Sequence, residues 1–156
     1  MKNSVCCFIG HREINETGEL KEKLCKIIEN LIVENGVDTF LFGSKSQFNS
    51  LCLEVVTKFK EKYPHIKRIY VRAEYPYIND DYKNILLEKY EDTYFPESII
   101  GSGQAVYIKR NCEMIQSSYF CIFYYNAQNA PVGRKSGTKC ALNFAKRRSK
   151  KIILLP

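Results

Sequence analysis

Gly133-Arg134-Lys135-Ser136-Gly137-Thr138 lies between the apolar run Tyr119 to Tyr125 and an amphipathic segment that ends in Lys146-Arg147-Arg148, and the reading of this hexapeptide decides the fold. A strand feeding a glycine-rich turn that opens a helix gathers free backbone N–H groups, the positive end of the helix dipole and two side-chain hydroxyls at one point. That combination suits phosphate oxygens. The same residues are also ordinary helix N-cap chemistry, so this turn alone leaves both readings open. Its weight comes from two similar turns upstream.

Ser4 to Ile9 is a short apolar run ending at Gly10, the pattern of a strand buried on both faces of a parallel sheet, and Gly10-His11-Arg12 follows at its carboxyl end. Leu20, Leu24, Ile27, Ile28, Leu31 and Ile32 recur at helical spacing between Asn15 and Asn35, with Gly36 at the stop. Thr39 to Phe42 predicts a second strand. Gly43-Ser44-Lys45-Ser46 follows it, then a helix with Cys52, Val55, Val56, Phe59 and Tyr63 on one face, ended by Pro64. Ile66 to Val71 predicts a third strand, and Asn79 caps a helix to about Tyr90 with Tyr82, Ile85 and Leu86 inward. Thr93 to Phe95 reads as a short strand. A helix over Gln104 to Gln116 puts Ala105, Ile108, Cys112 and Ile115 on the buried side and leaves Lys109 and Arg110 to face elsewhere. Past the strand Tyr119 to Tyr125, a final helix turns Ala141, Leu142 and Ala145 inward, and Ile152 to Leu155 forms the last strand.

Regular β-α alternation with apolar strands predicts an α/β fold, a Rossmann-like three-layer sandwich with a mostly parallel sheet, in one domain over residues 1–156. Ligands of such sheets bind at the carboxyl ends of the strands. Gly10-His11-Arg12, Gly43-Ser44-Lys45-Ser46 and the turn from Gly133 to Thr138 all occupy that rim. His11 reads as a general base, a phosphate donor or a turn-filling residue, and Arg12 as a phosphate clamp or a solvated charge. Lys45 lacks the Gly-x-x-x-x-Gly-Lys-Ser/Thr spacing of a nucleoside-triphosphate-hydrolysing loop. Glu74 and Tyr75 fall at the rim after the third strand, suited to ribose and base or else to packing and subunit contact. The cluster Lys146, Arg147, Arg148, Lys150 and Lys151 either complements a helix dipole or contacts nucleic acid.

The net charge of +7 favours an anionic partner. Seven cysteines without a Cys-x-x-Cys pair predict reduced, mostly buried thiols in a cytoplasmic protein, with no metal site and no cofactor. No stretch approaches the roughly 20 apolar residues of a membrane span, so no membrane partner is expected.

Gly10-His11-Arg12 after Cys6-Cys7-Phe8-Ile9, the stretch Arg110-Asn111-Cys112-Glu113-Met114-Ile115, Ser117-Ser118, and Ser136-Gly137-Thr138 opening a helix with Ala145-Lys146 together resemble the YpsA-like branch of the SLOG superfamily. That superfamily includes DprA-like DNA-processing proteins and the LOG phosphoribohydrolases. The resemblance spans nearly the whole chain. It implies a Rossmann-like domain that binds a nucleotide or nucleotide-derived ligand, such as an ADP-ribose or nucleoside monophosphate, commonly as a homodimer. Arg110 and Met114 match the Arg-x-x-x-Met stretch of LOG enzymes. Their Pro-Gly-Gly-x-Gly-Thr-x-x-Glu motif is matched at Gly137-Thr138, but Arg134-Lys135 replace the paired glycines and Ala141 stands at the glutamate. Alanine can neither position water nor stabilise a ribosyl cation, which favours binding without catalysis. The alternatives are an N-glycosidic hydrolase or transferase using Arg110 with another carboxylate such as Glu113, and DprA-like single-stranded DNA binding. The binding residues expected are Gly10, His11, Arg12, Gly43, Ser44, Lys45, Glu74, Tyr75, Arg110, Asn111, Gly133, Ser136, Gly137 and Thr138.

Overall fold

The runs of β-branched, aromatic and aliphatic residues become six strands in the computed structural model, which describes residues 3–126 and 137–155. They are β1 (Val5–Gly10), β2 (Thr39–Phe42), β3 (Lys67–Val71), β4 (Asp92–Tyr94), β5 (Phe120–Tyr124) and β6 (Lys151–Leu155). All pair in parallel, in the order β4-β3-β2-β1-β5-β6. The chain builds outward from β1 in one direction through β4 and then returns to place β5 on the other side of β1. The β1–β5 boundary is therefore where the strand order reverses, a position where sheets of this kind open a crevice.

Period-2 alternation sends successive strand residues to opposite faces, and both faces are covered. Phe8, Phe40, Phe42, Tyr70, Ile122 and Tyr124 pack against the helices α1 (Gly18–Val33) and α2 (Gln47–Lys62), with Leu86 of the short α3 (Asp80–Leu86) joining them. Cys7, Ile9, Leu41, Val71, Cys121 and Phe123 pack against Met114 and Ile115 of α4 (Val106–Gln116) and Ala141, Leu142 and Ala145 of α5 (Gly137–Arg147). The result is the expected three-layer α/β sandwich. Among the described residues no helix is long and apolar enough to cross a membrane. All seven cysteines are free thiols, and burial raises the pKa of Cys6 and Cys52.

Three helices differ from their sequence expectation. α1 starts at Gly18 because the Thr17 hydroxyl accepts the Leu20 N–H at 3.0 Å, while the Ile14 N–H is taken by Gln47 Oε1 at 2.9 Å. α3 stops at Leu86, and Ile85, expected inward, is 56% exposed. Its inward place is taken by Tyr90, whose ring lies 5.5 Å from Phe42 and 5.2 Å from Tyr70. The largest departure is in α4. Val106, Arg110, Met114 and Ile115 form its buried face, whereas Ala105 and Ile108 are exposed and Cys112 is half-buried. The i, i+4 row 106-110-114 faces the sheet, and the cation it contains is carried inward with it.

Gly10 has no side chain because the ring of α2 lies across it. A Cβ there would meet Phe48 Cβ at 2.7 Å, and Phe48 is fully buried. Gly10→Ala is expected to overpack this point and destabilise by about 1–3 kcal/mol, read as a lower urea midpoint at unchanged slope. Gly18→Ala, where a Cβ meets nothing within 4 Å, should leave the midpoint unchanged or raise it.

Candidate functional site

The carboxyl ends of β1, β2 and β3 and the first turn of α4 enclose an open cleft of about 730 Å³. Gly10 and Arg12 line it from β1, Ser44, Lys45 and Ser46 from the β2–α2 turn, and Glu74, Tyr75, Pro76 and Tyr77 from the loop after β3. Tyr70, Tyr82, Tyr107 and Arg110 complete the wall. Three cations, two serine hydroxyls and five tyrosines thus face one space.

Arg110 is its most unusual member. It is only 6% exposed, and its Nε donates to the neutral Asn111 Oδ1 at 3.0 Å. Its guanidinium lies 6.0 Å from the Tyr107 ring centroid, and among the described residues it forms no salt bridge. No buried side-chain nitrogen or oxygen among those residues lacks a hydrogen-bond partner, so the terminal nitrogens of Arg110, which bond to none of them, open onto the cleft. Burial lowers the pKa of Arg110, opposed by Tyr70, Tyr107 and Tyr82, and an arginine so placed still carries its charge at neutral pH. The Tyr70 ring stands edge-on to Tyr82 with centroids 6.2 Å apart, and burial raises the Tyr70 pKa, so it stays a neutral phenol. Lys45 Nζ sits 4.9 Å above the Tyr82 ring. Arg12 is exposed, with no side-chain partner among the described residues, and its carbonyl accepts the Gln47 N–H at 2.8 Å.

The glycines of the first two turns serve packing rather than open N–H groups. A Cβ on Gly43 would fall 2.7 Å from Arg110 Cδ, and the Gly43 N–H already donates to Asn49 Oδ1 at 3.3 Å. Ser46 is the N-cap of α2, accepting the Asn49 N–H at 3.1 Å, and its hydroxyl lies 2.8 Å from that of Ser44. Gly43 is thus the residue that lets α4 approach, and Ser44, Lys45 and Ser46 are the members of this turn that line the cleft.

His11 and Glu74 have structural partners. The His11 ring is buried, with Nε2 2.9 Å from the Asn126 amide nitrogen and 3.1 Å from its carbonyl oxygen. It ties the end of β1 to the segment leaving β5, across the point where strand order reverses, and it does not line the cleft. Burial lowers its pKa. Glu74 lines the cleft, but both its oxygens are engaged: Arg72 Nε donates to Oε2 at 2.7 Å and Arg72 Nη2 to Oε1 at 3.0 Å. The Asn79 N–H donates to Glu74 Oε1 at 2.7 Å, and Arg72 Nη2 to the Asn79 carbonyl at 2.8 Å. This closed ring of bonds shapes the loop that presents Tyr75, which is 45% exposed, to the cleft.

The remaining expected residues stand apart. Asn111 is the acceptor for Arg110 rather than a lining residue, and Glu113 accepts the Ser98 hydroxyl at 2.8 Å outside the cleft. Gly133 and Ser136 fall outside the described residues. Gly137 and Thr138 open α5 without lining the cleft, and a Cβ on Gly137 meets nothing within 4 Å, so that glycine is not required by a close approach. Tyr70, Tyr82 and Tyr107 were missed from sequence. Tyr107 had a legible signal, since it precedes Arg110 by three positions and so shares its helix face. No family model matches this chain, and no curated protein matches it.

Two outcomes test this geometry. Glu74→Ala leaves the buried Arg72 charge unpaired and is expected to cost about 3–5 kcal/mol in urea unfolding; a Glu74 that served a ligand alone would leave stability unchanged. Because the His11 pKa is lowered from 6.5, the unfolded chain takes up its proton first as pH falls. Stability should therefore decline from about pH 7 towards the folded pKa, and His11→Asn should flatten this part of the pH profile.

Proposed function

We propose that this protein binds a nucleotide or nucleotide-derived ligand, such as an ADP-ribose or nucleoside monophosphate, in the cleft above β1, β2 and β3, without turning it over. One observation carries the reading. A buried guanidinium with no carboxylate partner among the described residues faces a cleft, and a planar fork of N–H donors is suited to bidentate phosphate contact. Arg12 and Lys45 extend the positive wall, and Ser44 offers a hydroxyl. The tyrosines supply faces on which a base can stack. The resemblance of Gly10-His11-Arg12 and the Arg110-to-Ile115 stretch to the SLOG superfamily supports the same class of ligand.

Binding without turnover is favoured by the carboxylates. Hydrolysis of an N-glycosidic bond needs an acid, base or cation-stabilising carboxylate at the reacting carbon. Glu74, the carboxylate among the lining residues, is spent on Arg72 and Asn79, and Ala141 lies on the buried face of α5. Glu113 is bound to Ser98. A sensing or sequestering role follows, and release of free base from a nucleoside monophosphate by purified protein would overturn it.

A homodimer belongs to the same proposal. Tyr77, which lines the cleft, and Ile78, Ile85 and Leu87 in the segment that follows it are all exposed, at 79%, 42%, 56% and 42% respectively, apolar side chains suited to contact with a second copy. A monomeric mass by light scattering at micromolar concentration would remove this part.

Arg110→Met keeps the buried carbon stem and removes the charge. It is expected to weaken binding of a nucleoside monophosphate or ADP-ribose by about 1.5–3 kcal/mol, roughly tenfold to a hundredfold in Kd. Arg148→Ala should leave calorimetric affinity unchanged, and equal losses from both would point to a diffuse basic surface instead of the cleft.

A further inference from the structure

All 17 acidic residues lie within residues 1–113, together with 16 of the 24 basic ones. That part of the chain carries a net charge of −1, and residues 114–156 carry +8 with no aspartate or glutamate. The fold then collects this charge at one place. Lys146, Arg147 and Arg148 are exposed at the carboxyl end of α5, the backbone turns at Ser149 with φ 56°, and Lys150 and Lys151 lead into the edge strand β6. In a parallel sheet the start of β6 lies on the amino-end rim, opposite the cleft.

These cations have no acid to hold. The salt bridges among the described residues use Lys21, Lys26, Lys62, Arg68 and Arg72, and none uses the five at the α5–β6 turn. Helix-dipole complementation accounts for the last turn of α5, but it falls off within that turn, and Lys150 and Lys151 stand beyond it. Arg147 and Arg148 both lie against Phe144, with guanidinium carbons 5.8 Å and 5.1 Å from the ring centroid.

We propose that the α5–β6 turn is a second binding surface, for the phosphate backbone of a nucleic acid, on the rim opposite the cleft and independent of it. An interfacial membrane helix needs an apolar face to bury in lipid. The apolar side chains of α5, Ala141, Leu142 and Ala145, are buried in the core, and its exposed surface at this end is cationic. Adjacent arginines with no internal carboxylate fit successive phosphates, and binding through the backbone alone reads no sequence.

Fluorescence anisotropy of a labelled, mixed-sequence single-stranded oligonucleotide tests this. Salt-sensitive binding is expected, with about five phosphate contacts giving a log–log salt slope near −3.5. Arg147→Glu with Arg148→Glu should lower affinity at low salt by about tenfold or more and make the slope shallower by about 1.4. Lys23→Glu with Lys58→Glu makes the same change in net charge on α1 and α2 and should alter affinity by no more than about twofold. Arg110→Met should bind the oligonucleotide as the native protein does, which separates this surface from the cleft. Equal loss from the two charge-reversal pairs, loss in Arg110→Met, absence of binding at low salt, or binding only to vesicles containing phosphatidylserine would each overturn the proposal.

Discussion

α4 can lie against the sheet at Arg110 and Met114 because β2 is followed by a residue without a side chain. The stem of Arg110 and the thioether of Met114 occupy the space that any Cβ at Gly43 would need. This close approach fixes the rotation of α4, and with it which face of the helix is buried. It also takes a cation out of bulk water. An isolated buried charge is costly unless it is paired or hydrogen-bonded, and this one bonds a neutral asparagine and opens onto a cleft. The packing that completes the second core layer is the same packing that sets a positive group at the cleft wall.

Two nearby arginines show how partner choice separates structure from site. Arg72 is 5% exposed, close to the burial of Arg110, but it meets Glu74 in a bidentate pair and bonds the Asn79 carbonyl. Its charge is consumed in shaping a loop. Among the described residues Arg110 finds Asn111 and aromatic rings but no carboxylate, so its charge faces the cleft. His11 follows the first pattern. Its Nε2 lies within bonding distance of the Asn126 backbone, which ties the β1–β5 junction together.

Parallel strands give a sheet two unlike rims, and this chain uses them differently. The carboxyl-end rim carries the cleft, with Ser44, Lys45, Tyr75 and Tyr77 from the loops and Tyr107 and the recessed guanidinium of Arg110 from α4. The amino-end rim beside β6 carries exposed cations without acidic neighbours in sequence. A recessed, partly dry charge discriminates by geometry, because its few hydrogen bonds must be replaced in a fixed direction. A solvated basic edge acts at longer range and is screened by salt.

The sequence by itself determined the layers. Apolar runs such as Cys6 to Ile9 and Phe40 to Phe42 can be satisfied only by burial on both faces, and the 3.6-residue periodicity of α1, α2 and α5 points one stripe of each helix at that sheet. Local chemistry also marked Asn79 where α3 begins, whereas the Thr17 and Ser46 caps emerged only in the fold and the limits of α1 and α3 moved by several residues. Of the residues expected from sequence to bind, Gly10, Arg12, Ser44, Lys45, Glu74, Tyr75 and Arg110 line one cleft, whereas His11, Gly43, Asn111, Gly137 and Thr138 do not. What each of them does there was decided only in three dimensions. Whether a glycine exposes an N–H or admits a neighbouring helix, and whether an arginine meets a carboxylate or open space, depends on groups distant in sequence. Gly43 meets Met114, His11 meets Asn126, and the buried face of α4 is set by that contact with β2 rather than by the hydrophobicity of α4 itself.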